Sequence, residues 1–264
     1  LLELTALMVE VVDRADATLS DVQRSAGDFA ALQASLTPYK QALDLWVSQH
    51  FGNAEAGEFL RLYGSDVLPA LRGEKQVSAR HQAVITRARE LWAEKRFFHW
   101  DLEFPEVFVD LRKRDWAENP GFDAVIGNPP YVFITSIPED QRAYYSDNFS
   151  TCDYRFDIYA LFIEHGLRIL QPGRGLGFII PHSILNNNSF EKIRVKIINE
   201  TSHIRIIDFT ERIFADAANE PMLLLIETKQ RPEQVESPVL EGCLISPNDL
   251  HQVTEYLRLS LIHI

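Results

Sequence analysis

Gly121-Phe122-Asp123-Ala124-Val125-Ile126-Gly127-Asn128-Pro129-Pro130-Tyr131-Val132 is the stretch on which the reading of this chain turns. Phe122, Ala124, Val125 and Ile126 form a short apolar run after the turn Asn119-Pro120-Gly121, which reads as an interior strand of a parallel sheet. The strand runs directly into Asn128-Pro129-Pro130-Tyr131, where Asn128 offers a side-chain carbonyl and Pro129 a backbone carbonyl. Proline fixes φ at about −65° and has no N–H, so two in succession give a stiff loop whose carbonyls cannot easily turn away. Two fixed acceptors suit a planar NH2 group. An ordinary strand-to-loop turn with two prolines is the plain alternative.

An exocyclic amine such as that of adenine is a poor nucleophile, because its lone pair is delocalised into the ring. Acceptors on both hydrogens favour a pyramidal nitrogen and aim its lone pair at an electrophile, so positioning and preorganised electrostatics replace a strong base. Tyr131 adds an aromatic face for a base, which must leave a double helix to be reached.

Downstream, Asp157-Ile158-Tyr159-Ala160-Leu161-Phe162-Ile163-Glu164 continues through Leu167, Ile169 and Leu170 as an apolar helix, stopped by Gln171-Pro172-Gly173. Leu176 to Pro181 reads as a second buried strand. Ser189 is expected to cap a helix from Phe190 to Asn199, with Phe190, Ile193, Ile197 and Ile198 at helical spacing. Ile204 to Phe209 and Met222 to Thr228 add two strands, and strands alternating with helices indicate an α/β sheet. Gly173-Arg174-Gly175-Leu176-Gly177 follows a helix and enters a strand, whereas a phosphate or cofactor loop needs the reverse order. Its glycines are read as ending the helix and turning the chain.

The motif and this order of elements resemble the second half of the catalytic domain in large gamma-type N6-adenine DNA methyltransferases of the Eco57I or TaqI kind, found in restriction-modification enzymes. Similar Asn-Pro-Pro-Tyr loops occur in enzymes that methylate cytosine N4, RNA guanine N2 and a protein glutamine. The resemblance implies an α/β fold. It would be a partial Rossmann-like methyltransferase sheet made of family strands 4, 5, 6 and 7, preceded by an α-helical insertion. The family's sheet order is 3-2-1-4-5-7-6, with the last two strands antiparallel. Asn128 would then end family strand 4, beside the reversal of strand order where open α/β sheets bind ligands.

The implied reaction is transfer of a methyl group from S-adenosylmethionine to adenine N6 by direct in-line attack. Asn128 and Pro129 would hold the amine, Pro130 would stiffen the loop, and Tyr131 and Phe214 would sandwich the flipped base. Such stacking is worth about 1–3 kcal/mol per base. Phe162 resembles an aromatic near the cofactor, and Asp101 an acidic contact to the cofactor's adenine, with Glu103 a competing choice. Plain core packing for Phe162, and a cover over the sheet end for Phe214, stay open as readings.

The preceding sequence is helical in pattern. Leu1, Leu4, Met8 and Val11 repeat at coiled-coil-like spacing, and Phe29, Leu32 and Leu36 follow. Thr37-Pro38 is expected to start a helix that bears Tyr39, Leu43, Trp46 and Val47 and ends near Gly52. Ser78 is expected to cap a helix through Trp92 and Lys95. Leu45 to Gly52 looks like part of the family's helical insertion, which sets residues 1–97 apart from a catalytic half at 98–264. In the family a glycine-rich loop after strand 1 holds the methionine portion of the cofactor. Gly27, Gly52, Gly57, Gly64 and Gly73 are isolated and supply no such loop before residue 121. The chain alone is therefore expected to bind no S-adenosylmethionine, to be inactive, and to expose the edge of its motif strand where family strand 1 pairs. Leu259 to Ile264 fit no expected element and resemble a translated sequencing-adapter tail.

With 264 residues, 46% of them hydrophobic, the chain can bury the cores of two units. Cys152 and Cys243 lie far apart, the eight histidines form no metal-ligand pattern, and no apolar run spans a membrane, which together point to the cytoplasm. A net charge of −12 opposes neutralisation of phosphates. The implied partner, double-stranded DNA with a flipped adenine, is therefore assigned to a recognition domain outside this chain. Arg112-Lys113-Arg114 is the best local basic cluster, and a solvated turn explains it equally well. Two other readings stay open: an amino-group methyltransferase acting on RNA guanine or protein glutamine, or a noncatalytic degenerate subunit that retains the motif.

Overall fold

The computed structural model describes residues 18–113, 115–152, 156–209, 221–231 and 237–245. The Leu1 to Val11 repeat, Phe214 and the Leu259 to Ile264 tail lie outside these residues. The chain forms two compact units, Leu1–Pro120 and Gly121–Ile264.

The described part of the first unit is helical up to Phe108. Helix α1 (Leu19–Ser48) is followed by α2 (Glu55–Tyr63), α3 (Val67–Leu71), α4 (Ala79–Lys95) and two single turns, α5 (Trp100–Glu103) and α6 (Pro105–Phe108). Strands β1 (Val109–Asp110) and β2 (Asp115–Trp116) then pair as a short antiparallel hairpin. Leu45, Phe59, Val67, Ala70, Val84, Ile85 and Ala88 form the core. Ser78 caps α4 by accepting from the His81 N–H, and Gly52 ends the turn after α1 with φ of 87°, as the sequence suggests.

Pro38 does not start a helix; it lies inside α1. An interior proline costs a helix about 3 kcal/mol through its missing N–H and its ring clash. Packing on both sides outweighs that cost, with Leu32 and Leu36 buried before the proline and Leu45 after it. Residues following the expected boundary at 97 also belong with the helices. Leu102 and Leu111 pack on Leu32 and Leu36, Glu103 pairs with Lys40 at 2.6 Å, and His99 meets Asp44 at 2.8 Å. Arg112 and Lys113 occupy the hairpin turn, where Asp110 accepts from both backbone N–H groups.

The second unit is α/β. It contains β3 (Phe122–Gly127), α7 (Glu139–Asn148), α8 (Ile158–Ile169), β4 (Leu170–Pro181), α9 (Glu191–Glu200), β5 (Thr201–Phe209), β6 (Pro221–Thr228) and β7 (Val239–Ile245). The strands make one five-stranded mixed sheet in the order β3-β4-β6-β5-β7. β3 and β4 are parallel, while β6 runs antiparallel to both neighbours. That is the family order 4-5-7-6, with β7 added in parallel beside β5. Tyr159, Ile163 and Leu167 of α8 bury against Leu176, Phe178 and Ile180 of β4. Ile193 and Ile197 of α9 and Met222, Leu224 and Ile226 of β6 complete this core.

Two local readings are corrected. Ser189 caps nothing; its N–H donates to the Asn187 side chain, which caps a short 3-10 turn leading into α9. β3 lies at the edge of the sheet among the described residues, as expected of the motif strand in this chain, but Ile126 is 84% exposed rather than interior. Gly121 has φ of 134°, and a Cβ there would stand 2.8 Å from the backbone of Ile169 and Gln171, so the glycine lets β3 start tight against the end of α8.

Glu164 is fully buried on α8 and accepts from the N–H and hydroxyl groups of both Ser150 and Thr151, while Arg168 pairs with it. Burial pushes its pKa up, but the hydrogen bonds from Thr151 and Ser150 outweigh burial and bring it to about 2. A carboxylate held below its ordinary value of about 4.3 stabilises the fold above that pH and loses the contribution as pH falls to the folded value. Urea midpoints should therefore drop between these two pH values, and Glu164→Gln should flatten the drop. An unchanged slope in the variant would place the acid sensitivity elsewhere.

Candidate active site

The parallel ladder of β3 on β4 ends at Gly127 opposite Phe178, so Asn128 leaves the sheet at the carboxyl end of the strand. Asn128 is exposed, and its amide makes no hydrogen bond among the described residues. Pro129 is buried, and its carbonyl has no backbone donor among them. Both acceptors of the motif are thus uncommitted among the described residues. Pro130 is exposed beside them.

Tyr131 is half-buried against the main core, and its hydroxyl donates to the Ile179 carbonyl of β4 at 2.9 Å. Burial pushes its phenol pKa up. Its ring meets Tyr159 edge-on, with centroids 6.1 Å apart and an interplanar angle of 81°. The next residues are laced to the start of α8. The Ile158 N–H donates to the Val132 carbonyl at 2.9 Å, the Ile134 N–H donates to the Phe156 carbonyl at 3.0 Å, and Phe133 and Asp157 form an antiparallel bridge.

This lacing gathers residues that the sequence did not single out. Tyr159 Oη lies 3.4 Å from Ser183 Oγ, just past the end of β4. His182 Nε2 stands 3.4 Å from Asp208 Oδ2, so the carboxyl ends of β4 and β5 also carry polar groups. Asp157 is 5% exposed, and its Oδ1 has no hydrogen-bond partner among the described residues. An aspartate before an apolar helix looks like an N-cap, and that ordinary role hides it in the sequence.

The other expected residues in the described part of the chain lie on different elements. Phe162 lies on α8 but is 45% exposed, so the core-packing reading fails: an apolar run does not reveal which helix face is covered. Asp101 is exposed on α5 in the first unit, while Glu103, its competitor, is engaged by Lys40. Among the described residues, no group of three or more His, Cys, Asp or Glu could hold a metal ion, and no helix is long and apolar enough to cross a membrane.

Tyr131→Phe removes the hydroxyl and leaves the Ile179 carbonyl without its donor. A lost hydrogen bond of this kind costs about 1 kcal/mol. Equilibrium unfolding in urea should register a loss of that size, whereas an unchanged midpoint would show that the hydroxyl does not anchor the loop.

Residues 31–214 match the model of the Eco57I restriction-modification methylase family, which is more than half of the chain. The chain is 34% identical over 121 residues to the type II methyltransferase M.XhoI of Xanthomonas vasicola, covering 43% of this chain and 22% of that protein. It is 31% identical over 128 residues to the type II methyltransferase M.BstVI of Geobacillus stearothermophilus, covering 47% and 23%. The solved M protein of the type I restriction enzyme EcoKI matches 49% of this chain and 26% of its own at 16% identity, with a TM-score of 0.34. The chain spans about a fifth of the length of these two curated relatives.

Proposed function

The chain belongs to the Eco57I restriction-modification methylase family, and on that premise we propose that its second unit carries the amine-holding half of a DNA adenine-N6 methyltransferase site. The supporting observation is the pair of uncommitted acceptors, the Asn128 side chain and the Pro129 carbonyl, on a loop held by the Tyr131–Ile179 hydrogen bond. These two take the two N–H bonds of the target amine and orient its lone pair, Pro130 restricts the loop, and Tyr131 with Phe214 provides the stacking faces. Adenine is preferred over other planar amines because the match extends past the motif into the Eco57I family.

S-adenosylmethionine supplies the methyl group as a sulfonium electrophile. Within the second unit, half-exposed Phe162 fits a flat apolar contact to its adenine. Asp101 belongs to the other unit, and its role toward the cofactor rests on resemblance alone. The described residues offer no strand-to-helix glycine turn for the methionine end, so no step is assigned there. With a net charge of −12, phosphate contacts to duplex DNA belong to a recognition domain outside this chain, and the protein acts in the cytoplasm.

The test is tritiated methyl transfer from S-adenosylmethionine into unmodified bacteriophage DNA by the product of the complete reading frame, followed by nucleoside analysis. N6-methyladenine is the expected product. N4-methylcytosine, or label confined to RNA or protein, would overturn the assignment. Asn128→Ala should lower kcat by at least about a hundredfold while leaving cofactor affinity nearly unchanged, because it removes an acceptor used at the reacting nitrogen. An equal loss of cofactor binding would mark Asn128 as structural.

A further inference from the structure

Two buried carboxyl groups are carried by α8, Asp157 at its start and Glu164 in its middle, and they are treated differently. Glu164 is surrounded by donors, whereas Asp157, at 5% exposure, has Oδ1 sealed from solvent without a partner among the described residues. Leaving such a group unpaired costs about 1–3 kcal/mol, and folded proteins seldom tolerate it without a reason.

Helix capping does not supply that reason. Asp157 occupies the N-cap position with extended backbone, yet its side chain caps no N–H; the Ala160 N–H is satisfied by the Asp157 carbonyl instead, at 3.0 Å. Nor is the carboxyl stabilised as an anion, since burial alone pushes its pKa up to about 6. The residue is fixed beside the motif loop by its bridge to Phe133, two positions after Tyr131. Its charge is felt by Tyr159, the ring that Tyr131 meets edge-on. The residue that carries the unpaired oxygen is therefore laced to the segment that follows the two free acceptors of the motif.

We infer that Asp157 is a base-contacting residue of this site, exchanging a hydrogen bond with the ring edge of the nucleobase whose amine Asn128 and Pro129 hold. This rests on the amine-holding reading of the motif and adds a contact to it. The amine's two hydrogens are used by the motif, and the ring nitrogen next to the amine is an acceptor still free to be read. A neutral carboxyl can donate to it, and so can the amide of an asparagine. Alanine and leucine cannot.

The experiment compares Asp157→Asn, Asp157→Ala and Asp157→Leu in the product of the complete reading frame. Initial methylation rates are measured on unmodified bacteriophage DNA, against DNA concentration and separately against S-adenosylmethionine concentration. Alanine and leucine should lower kcat/KM for DNA by about ten- to a hundredfold, the worth of one buried hydrogen bond to a substrate, with the KM for S-adenosylmethionine within about twofold of wild type. Asparagine should restore most of the loss. Thermal unfolding adds an independent readout: removing an unpaired buried carboxyl should leave the melting temperature equal or raised in the leucine variant, which is apolar and close in volume. Wild-type rates in the alanine and leucine variants would overturn the inference, as would a fall in melting temperature that tracks the lost rate, or an effect confined to S-adenosylmethionine. An active wild type with unaffected variants refutes the Asp157 contact alone. A wild type that makes no methylated base refutes the amine-holding reading and this inference with it.

Discussion

The parallel ladder between β3 and β4, from Ala124 opposite Gly175 to Gly127 opposite Phe178, fixes the point at which the chain leaves the sheet. A shift of one residue would turn every side chain of β3 to the other face and swing Asn128 away with it. The register is guarded at its start by the close passage of Gly121 over the backbone joining α8 to β4. Just past its end, the Tyr131 hydroxyl reaches the Ile179 carbonyl, one position beyond Phe178. The loop between those two points contains Asn128, Pro129 and Pro130, so its few free torsions lie in the segment where proline removes them.

What this frame leaves unsatisfied carries the functional content. Most backbone and buried polar groups in a fold find partners. Here buried Asp157 Oδ1 does not among the described residues, while the exposed Asn128 amide and the Pro129 carbonyl are left without protein partners, and all three lie on or beside the segment between β3 and α8. Open α/β sheets bind ligands at the carboxyl ends of their strands, and the uncommitted groups sit at that end.

Much of this was legible locally and some was not. Four strands and the helix from Ile158 could be read from apolar runs and their Pro or Gly stops, because those signals act over a few residues. β7 was missed because Glu241-Gly242 interrupts its apolar run; its support is nonlocal, through parallel pairing with β5 and the Arg205–Glu241 pair at 2.6 Å. Pro38 misled for the converse reason, since a reliable local breaker was overruled by burial on either side of it. The exposure of Ile126 and Phe162 was equally out of reach: hydrophobicity says what a side chain prefers, and only the neighbours decide whether it is covered. The motif loop stood out because two prolines and an asparagine constrain themselves. Asp157 stood hidden because its residue type and position matched an ordinary cap.

Glu164 and Asp157 show how environment separates two chemically similar groups. Each is almost wholly removed from water, and burial raises the pKa of both. Around Glu164 the Ser150 and Thr151 donors more than repay that cost, so the charged form is locked in and ties the loop after α7 to α8. Around Asp157, whose Oδ1 has no partner among the described residues, burial pushes the carboxyl up to about pKa 6. A group locked in one state holds a fold together but has no hydrogen-bonding capacity left to offer. A carboxyl oxygen that the fold has not taken up keeps that capacity for what arrives. The difference in donors, rather than in residue type, is why one carboxyl belongs to the scaffold and the other to the site.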